Sequence, residues 1–379
     1  MFKTSSACST IICDNGSYLL KAGFAGDDFP RAIIPTIVGT PRKQMNITGY
    51  GLRAMYAGEF AVENIGILDI NRPIVYDDIQ DWDAMENIWY HMYYENLLVP
   101  PEDFNILHTE GINNPIENRK KLMEIMFELF NVPNAALIPK LVLPLYGNGK
   151  TTGLSIDSGF KQTHVVPIYE GYPLRHAMRS MPIGGQHITK YLMKQLNDRG
   201  YSFTTSKSWE EIREIKEKMC YCALDFEKEI STFSKNKEQQ YKLPDGMIVS
   251  IKTEAFKSPE ILFNPALFDI ENEQGGLHDI VQSSCSACNI NEQSTMYENI
   301  VLAGGTSKFP FLTERLESML KKLNLSTTKI KITARPERKY STWIGGSILA
   351  SISTFSKVWI SKSEYEERGQ EIIQEKCIF

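Results

Sequence analysis

Two short stretches, one near the start of the chain and one near its middle, repeat a single arrangement: an apolar strand ending in Asp-x-Gly, followed by a second apolar run. The first is Ile11-Ile12-Cys13-Asp14-Asn15-Gly16-Ser17 and the second is Leu154-Ser155-Ile156-Asp157-Ser158-Gly159. In each, glycine permits a tight reversal that turns backbone N–H groups inward, and the aspartate stands at the strand end, where a metal ion can sit. A single Asn-Gly or Asp-Ser-Gly is an ordinary hairpin turn. A pair, one copy in each half of the chain, constrains the fold far more: it predicts two domains closing on one phosphate chain.

A chain of 379 residues, 42% hydrophobic and 23% charged, has room for roughly two to three domains and a large core. Its formal net charge of −5 and pI near 5.8 argue against a broad basic face. Nucleic acid and anionic membrane are thereby removed from the expected partners, leaving proteins and small ligands. No apolar run approaches the roughly 18 residues that span a bilayer, and Met1-Phe2-Lys3-Thr4-Ser5 lacks the apolar core of a signal peptide. The expected location is cytoplasmic, with the nucleus as the alternative, and no membrane insertion is expected. Seven cysteines, an odd number, fit free thiols in a reducing compartment. Cys285-x-x-Cys288 has no second pair and no histidine at ligand spacing, which favours a structural role over zinc or redox chemistry. Cys220 and Cys222 read as small apolar residues, and Cys377-Ile378-Phe379 is one residue short of a prenylation signal.

Strand and helix signals alternate without a long linker. Strands are expected at Ile11 to Cys13, Leu154 to Ile156, Val165 to Tyr169 and Ile300 to Leu302. Helices are expected at Asp81 to Glu95, Pro115 to Phe130, Ile188 to Asp198, Glu210 to Glu229 and Phe309 to Leu323. The mixture is an α/β architecture, with the two hairpins opening two related halves. Ser234 to Lys242 reads as a solvated loop and Pro41 to Gly51 as an exposed one. A third segment, Asn299-Ile300-Val301-Leu302-Ala303-Gly304-Gly305-Thr306-Ser307, runs a buried strand into a glycine pair and, past Pro310, a helix. Glycines there let a flat ring approach the backbone, and the helix start adds donors. A turn explains this segment alone; the three segments in this order form a nucleotide-binding pattern.

These residues carry a family resemblance, and the chain resembles actin along nearly its whole length. Lys21-Ala22-Gly23-Phe24-Ala25-Gly26-Asp27-Asp28, Val166-Pro167-Ile168-Tyr169-Glu170-Gly171-Tyr172, Ile215-Lys216-Glu217-Lys218, Leu243-Pro244-Asp245-Gly246 and Glu337-Arg338-Lys339-Tyr340-Ser341 look like actin segments. So do Trp343-Ile344-Gly345-Gly346-Ser347-Ile348-Leu349-Ala350-Ser351 and Lys376-Cys377, with slips of a residue or two after Glu229 and around Glu271.

The resemblance implies an actin-like ATPase fold of two related α/β domains, four subdomains in all, around a nucleotide cleft. Subdomain 1 would comprise residues 1–35, 73–147 and 341–379, subdomain 2 residues 36–72, subdomain 3 residues 148–183 and 273–340, and subdomain 4 residues 184–272. ATP or ADP would bind with Mg2+ or Ca2+. Backbone amides of Ser17, Tyr18 and Leu19 would cradle the phosphates on one side and those of Gly159, Phe160 and Lys161 on the other, with Lys21 supplying charge. Asp14 and Asp157 would hold the cation through water. Arg213, Lys216 and Glu217 would border adenine and ribose, Gly185 and Gly304, Gly305 and Thr306 would line the base and phosphate side, and Lys339 would close the base pocket. Without the resemblance, Lys216 and Glu217 read as a solvated helix face.

The departures from actin concentrate at the expected site. Lys140 stands where actins carry a glutamine that helps place the attacking water, Phe160-Lys161 where they continue with Asp-Gly, and Tyr18 where they have a glycine. Tyr76 replaces a commonly methylated histidine and Lys308 a methionine that packs on adenine. Two like unit charges about 4 Å apart repel by roughly 4 kcal/mol at an effective dielectric near 20, and a divalent ion doubles that. Lys140 therefore either pairs with Asp14, Asp157 or the γ-phosphate, partly substituting for the metal, or turns away and leaves a magnesium site. While charged it accepts no proton from water. His164 matches the family's other water-positioning residue, so slow hydrolysis is expected, or none. The cradle uses backbone amides, which survive side-chain replacement, so nucleotide binding is expected to persist.

Other surfaces divide in the same way. The loop from Lys43 to Arg53 sits where actin inserts into the next subunit, but its tip, Met45-Asn46-Ile47-Thr48-Gly49-Tyr50, differs. Phe263-Asn264-Pro265-Ala266-Leu267-Phe268-Asp269-Ile270-Glu271 keeps the apolar character of the plug that bridges strands. Tyr146, Ile348, Leu349, Ile352, Thr354 and Phe355 resemble the groove between subdomains 1 and 3 that receives helices of actin-binding proteins, although such spacing also suits a core. Asp27, Asp28, Glu102 and Asp103 keep acidic motor-binding sites, while Lys3-Thr4-Ser5-Ser6 replaces the acidic N-terminal cluster, so weaker motor engagement is expected. The leading expectation is a divergent actin, filament-forming or filament-associated, with itself or conventional actin as partner. The alternative is a non-hydrolysing actin-related scaffold subunit of a multiprotein complex. A small-molecule kinase of the same superfamily would need a catalytic aspartate facing a sugar pocket, and none stands out.

Overall fold

The computed structural model describes residues 9–42, 54–234, 238–270, 274–323 and 329–377. The chain forms two compact units: residues 1–150 with 340–379, and residues 151–339. The expected loop from Lys43 to Arg53 and the segment Lys3 to Ser6 lie outside the described residues.

In the first unit a six-stranded sheet runs in the order Ile360–Ser361, Asn134–Pro139, Asn105–Glu110, Thr10–Asn15, Leu19–Phe24, Ala32–Pro35. Asn134–Pro139, Asn105–Glu110 and Thr10–Asn15 are mutually parallel, and the remaining pairings are antiparallel. The parallel strands are apolar on both faces because helices cover both, which is why Ile11-Ile12-Cys13 reads as one unbroken run. Helix Ser341–Ala350 packs on the short helix Leu143–Gly147 so closely that Gly345 lies against the Leu143 carbonyl, and Trp343 donates from Nε1 to the Ile12 carbonyl at 3.1 Å. Arg119 ties Cys377 to the end of the interior strand Asn105–Glu110: its guanidinium meets the buried Glu110 carboxylate at 2.7 Å and donates to the Cys377 carbonyl at 2.9 Å. A small separate cluster of Ile37, Ala61 and Leu68 supports the three-stranded sheet Tyr56–Ala57, Val38–Pro41, Leu68–Asn71.

The second unit repeats the plan. Its sheet runs Tyr172–Pro173, Thr163–Tyr169, Gly153–Ser158, Ile300–Ala303, Ile332–Thr333, with Arg179–Met181 also paired to Thr163–Tyr169. Gly153–Ser158 forms an antiparallel hairpin with Thr163–Tyr169 and pairs in parallel with Ile300–Ala303, as Thr10–Asn15 does with Leu19–Phe24 and Asn105–Glu110. The equivalence extends to register: Asp14 faces Lys21 and Asp157 faces His164. Helices Gly185–Asp198, Leu277–Ser286 and Leu312–Lys322 contribute to its core: Leu277–Ser286 packs on strands Thr163–Tyr169 and Arg179–Met181, and Leu312–Lys322 packs on Leu277–Ser286.

The structure amends five local expectations. The helix expected from Asp81 to Glu95 is α-helical over Trp82–His91 and ends in a π-turn over Met92–Leu97, and the one from Pro115 to Phe130 likewise passes from Ile116–Glu124 into a π-turn over Ile125–Leu129. The stretch Glu210 to Glu229 is two helices, Ser206–Met219 and Phe226–Thr232. Between them the amide of Tyr221 donates to the Ala255 carbonyl and that of Cys222 to the Pro310 carbonyl, so tertiary partners capture the groups that a helix needs. Within the expected loop from Ser234 to Lys242, Gln239–Lys242 is a strand paired with Ile248–Ile251. Phe309 to Leu323 begins later, as helix Leu312–Lys322. The six described cysteines are buried and free.

Candidate functional site

In the first unit the site is built at the bend between Thr10–Asn15 and Leu19–Phe24. Asp14, only 3% exposed, sits opposite Lys21, whose ammonium lies 2.7 Å from Oδ2. The hydroxyl of Thr109, on the neighbouring parallel strand, donates to Asp14 Oδ1 at 3.0 Å and accepts from the Asn15 amide at 3.0 Å. The Asn15 side chain accepts from Trp89 Nε1 at 3.2 Å and donates to His108 Nδ1 at 2.9 Å. The bend carrying Ser17 and Tyr18 is further braced by Thr36, which donates from Oγ1 to the Gly16 carbonyl at 2.7 Å and from its amide to the Tyr18 carbonyl at 2.9 Å. A side chain at residue 16 would place Cβ 2.5 Å from the Leu19 carbonyl oxygen, which explains the glycine. Arg72 lies over the Tyr18 ring, 4.8 Å from its centroid.

Full burial pushes His108 down to about 3, so the ring is neutral and its Nδ1 accepts from Asn15. The unfolded chain takes a proton near pH 6.5 that the folded one refuses. The stability from a neutral His108 is therefore complete above pH 6.5 and is lost as pH falls towards 3. Between pH 6.5 and 5 this amounts to about 2 kcal/mol. Urea unfolding at the two pH values should show wild type losing more stability than His108→Gln by that amount; equal losses would contradict the assignment.

Lys140 follows strand Asn134–Pro139, its amide donating to the Glu110 carbonyl at 2.8 Å. Its ammonium is ion-paired with the Asp77 carboxylate, both side chains being about 15% exposed or less. Asp77 and Tyr76 form the two-residue turn between Ile74–Val75 and Asp78–Ile79, at φ 70 and 50, the left-handed conformation that such hairpins require. Asp77, Lys140, Asn15 and Thr109 line one small cavity of about 20 Å³.

In the second unit, Asp157 faces the buried His164 across the hairpin. Gly304 adopts φ +84, and an added Cβ would lie 2.4 Å from Asp157 Oδ1 and 2.3 Å from the Ser158 carbonyl oxygen. The bend after Asp157 is tied down by its carbonyls: Gly159 accepts from the Thr306 hydroxyl at 2.7 Å and the Gly185 amide at 3.0 Å, and Phe160 accepts from the Gln186 amide at 2.8 Å. The Gly159 amide itself closes the bend onto the Gln162 carbonyl at 3.0 Å. Lys216 is buried rather than solvated, donates to the Gly185 carbonyl at 3.0 Å, and is pushed down to about 8 by burial. Gly159, Gly185, Gly304, Thr306 and Lys216 thus come together. Arg213 instead joins Glu217 at 2.8 Å and Glu210 at 2.7 Å along the helix surface, and Lys308 is exposed on the turn Thr306–Lys308. The nearest heavy atom to a Cβ placed on Gly305 would be Lys339 Cγ, at 4.0 Å.

Of the six groove residues, Ile348 and Ile352 are 43% and 44% exposed, Thr354 is exposed, and Tyr146 and Leu349 are half-buried. Phe355 is buried, with its ring edge-on to Trp359 at 5.1 Å.

Asp14, the Thr109 hydroxyl and the facing Lys21 form an oxygen donor set with a charge-balancing ammonium, which suits a hard divalent cation met together with phosphate. Among the described residues no cluster of three or more His, Cys, Asp or Glu is placed to hold a metal alone. A cation here would take its other ligands from phosphate and water, in keeping with magnesium's habit. Thr109, Asn15, His108 and Asp77 were not among the residues singled out from sequence; of these only Asn15, inside the Asp-Asn-Gly motif, carried a local signal.

The observations define an α/β protein of two topologically related halves, each organised around a hairpin with an aspartate at its bend. The family model described as Actin matches residues 5–378. The chain belongs to the actin family.

Proposed function

We propose that the chain is a divergent actin-like cytoskeletal protein that binds ATP or ADP with a divalent cation in a central cleft and acts as a filament-forming or filament-associated subunit. The observation that carries this reading is the buried Lys21–Asp14–Thr109 arrangement at the first bend, a charge-balanced oxygen set held by three neighbouring strands. Family membership supports the four subdomains, the partners (itself, conventional actin, and actin-binding proteins through Tyr146, Ile348, Leu349, Ile352 and Thr354) and a cytoplasmic place.

Within this reading, Asp14 and Asp157 hold the cation through water, and the backbone of residues 17–19 with that of Phe160 and Lys161 receives the phosphates. A bound divalent cation supplies charge neutralisation to the phosphate chain. Lys216 and Thr306 hold the bend that carries Gly159, and Lys21 offsets phosphate charge. Hydrolysis is the weakened step: a protonated Lys140 paired with Asp77 has no lone pair with which to orient water, leaving His164 as the positioning group.

Phosphate release from purified protein loaded with ATP and magnesium, with and without polymerising salt, tests this. Wild type should be slow and Lys140→Gln faster by about tenfold or more, the scale on which a positioned water-accepting group acts. Wild type hydrolysing on assembly at ordinary actin-like rates would overturn the slow-turnover reading. The alternative, a non-hydrolysing scaffold subunit of a complex, is favoured by the Lys140–Asp77 pair; tight nucleotide binding without assembly or turnover would select it.

A further inference from the structure

An ammonium at residue 140 and a divalent cation served by Asp14 are electrostatic rivals. Lys140 shares its small cavity with Asn15 and Thr109, and Thr109 bonds directly to Asp14. Its side chain is only 13% exposed, so water screens it poorly. Glu110, whose carbonyl receives the Lys140 amide, has its carboxylate engaged by Arg119 through Nε at 2.9 Å and Nη2 at 2.7 Å. The carboxylate that meets the lysine comes from Asp77, 63 positions earlier in the chain.

Two details of the backbone deliver it there. Residues 76 and 77 both occupy the left-handed region, and aspartate is among the few residues with a side chain that do so at low cost. Gly111 lets the turn close down, since a Cβ there would stand 3.2 Å from Asp77 Cβ.

We propose that Asp77 is a positioning residue for Lys140: its carboxylate draws the ammonium to the hairpin at residues 74–79 and neutralises it, so that a lysine occupies this place without expelling the cation. The inference rests on the nucleotide-and-cation reading above. It makes residues 77 and 140 an interdependent pair in which the aspartate alone cannot be removed.

The test is the equilibrium affinity of the nucleotide-bound, full-length protein for Mg2+, read by competition with a magnesium-sensitive dye, for wild type, Asp77→Asn, Asp77→Gly, Lys140→Gln and the double variant Asp77→Asn/Lys140→Gln. Asn and Gly both accept the left-handed turn, so each removes charge while keeping the backbone; because each leaves the ammonium uncompensated, the affinities are compared at a temperature where thermal unfolding shows every variant to be folded. Asp77→Asn and Asp77→Gly should weaken Mg2+ binding by about tenfold, the order expected of an unneutralised like charge at this range. Lys140→Gln should bind at least as tightly as wild type, and the double variant should match Lys140→Gln. Where the single variants lower the midpoint, the double variant, which strands no charge, should restore both midpoint and affinity. Wild-type affinity in the Asp77 variants, or a double variant as weak as Asp77→Asn, overturns the inference alone. A wild type that takes up neither nucleotide nor cation overturns it together with the reading beneath it.

Discussion

Lys21→Ala should abolish nucleotide binding and lower stability by about 3–5 kcal/mol, the cost of stranding a buried charge. Asp14 is 3% exposed, and Lys21 is its partner at 2.7 Å directly across the hairpin. With the ammonium gone, Thr109 still donates one hydrogen bond, but no described cation balances the carboxylate, and the bend loses its charge for phosphate. The double variant Asp14→Asn/Lys21→Ala separates the two effects. It should recover much of the stability, because no uncompensated charge is left, while binding stays absent. Urea unfolding and fluorescent-ATP titration read the two quantities. A Lys21→Ala protein that unfolds at the wild-type midpoint would show that the pair is solvated in solution.

Gly345→Ala is expected to prevent the first unit from folding, or to destabilise it beyond about 4 kcal/mol, a range confined to severe core lesions. The added Cβ would fall 1.8 Å from the Leu143 carbonyl oxygen, 2.5 Å from its carbon and 3.0 Å from Leu143 Cα. Those are backbone atoms of the helix Leu143–Gly147, so no rotamer change relieves the clash. The approach is reciprocal, since a Cβ on Gly147 would stand 3.1 Å from the Ser341 carbonyl oxygen. Gly66→Ala, where nothing lies within 4 Å of the added atom, serves as control and should move stability by no more than about 0.5 kcal/mol. Soluble Gly345→Ala with a wild-type unfolding midpoint would contradict the helix contact.

What the sequence revealed depends on how local each cause is. The strands at residues 11–13, 154–156, 165–169 and 300–302 all lie inside observed strands, because an unbroken apolar run bounded by glycine turns is a local signal. The two Asp-x-Gly bends were visible for the same reason, and their matching registers follow from hairpin geometry. The break at Cys220 was invisible, since its cause is a pair of carbonyls, Ala255 and Pro310, supplied from elsewhere in the chain. The π-turns at Met92–Leu97 and Ile125–Leu129 differ from α-helix by one residue of hydrogen-bond spacing, which a periodicity of apolar residues does not resolve. At the site, Asp14 and Lys21 could be paired on paper, but Thr109 reaches Asp14 only through the parallel neighbour strand. Lys140 stood out from the resemblance, yet its partner Asp77 lies on a turn that no motif marks.

The first unit is assembled from both ends of the chain, residues 9–150 and 340–377, around the slot that Gly345 fills. On a ribosome, the amino-terminal strands emerge long before the helix Ser341–Ala350 that caps them. At about 5–20 residues per second, the intervening residues 151–339 take on the order of ten to forty seconds to synthesise. Through that interval the surfaces of Ile12 and Leu143 that later receive Trp343 and Gly345 stay uncovered, and the growing chain carries a sticky, unfinished half. A truncation that removes residues 340–377 takes away that cover from a half whose sheet is otherwise complete but for its edge strand Ile360–Ser361.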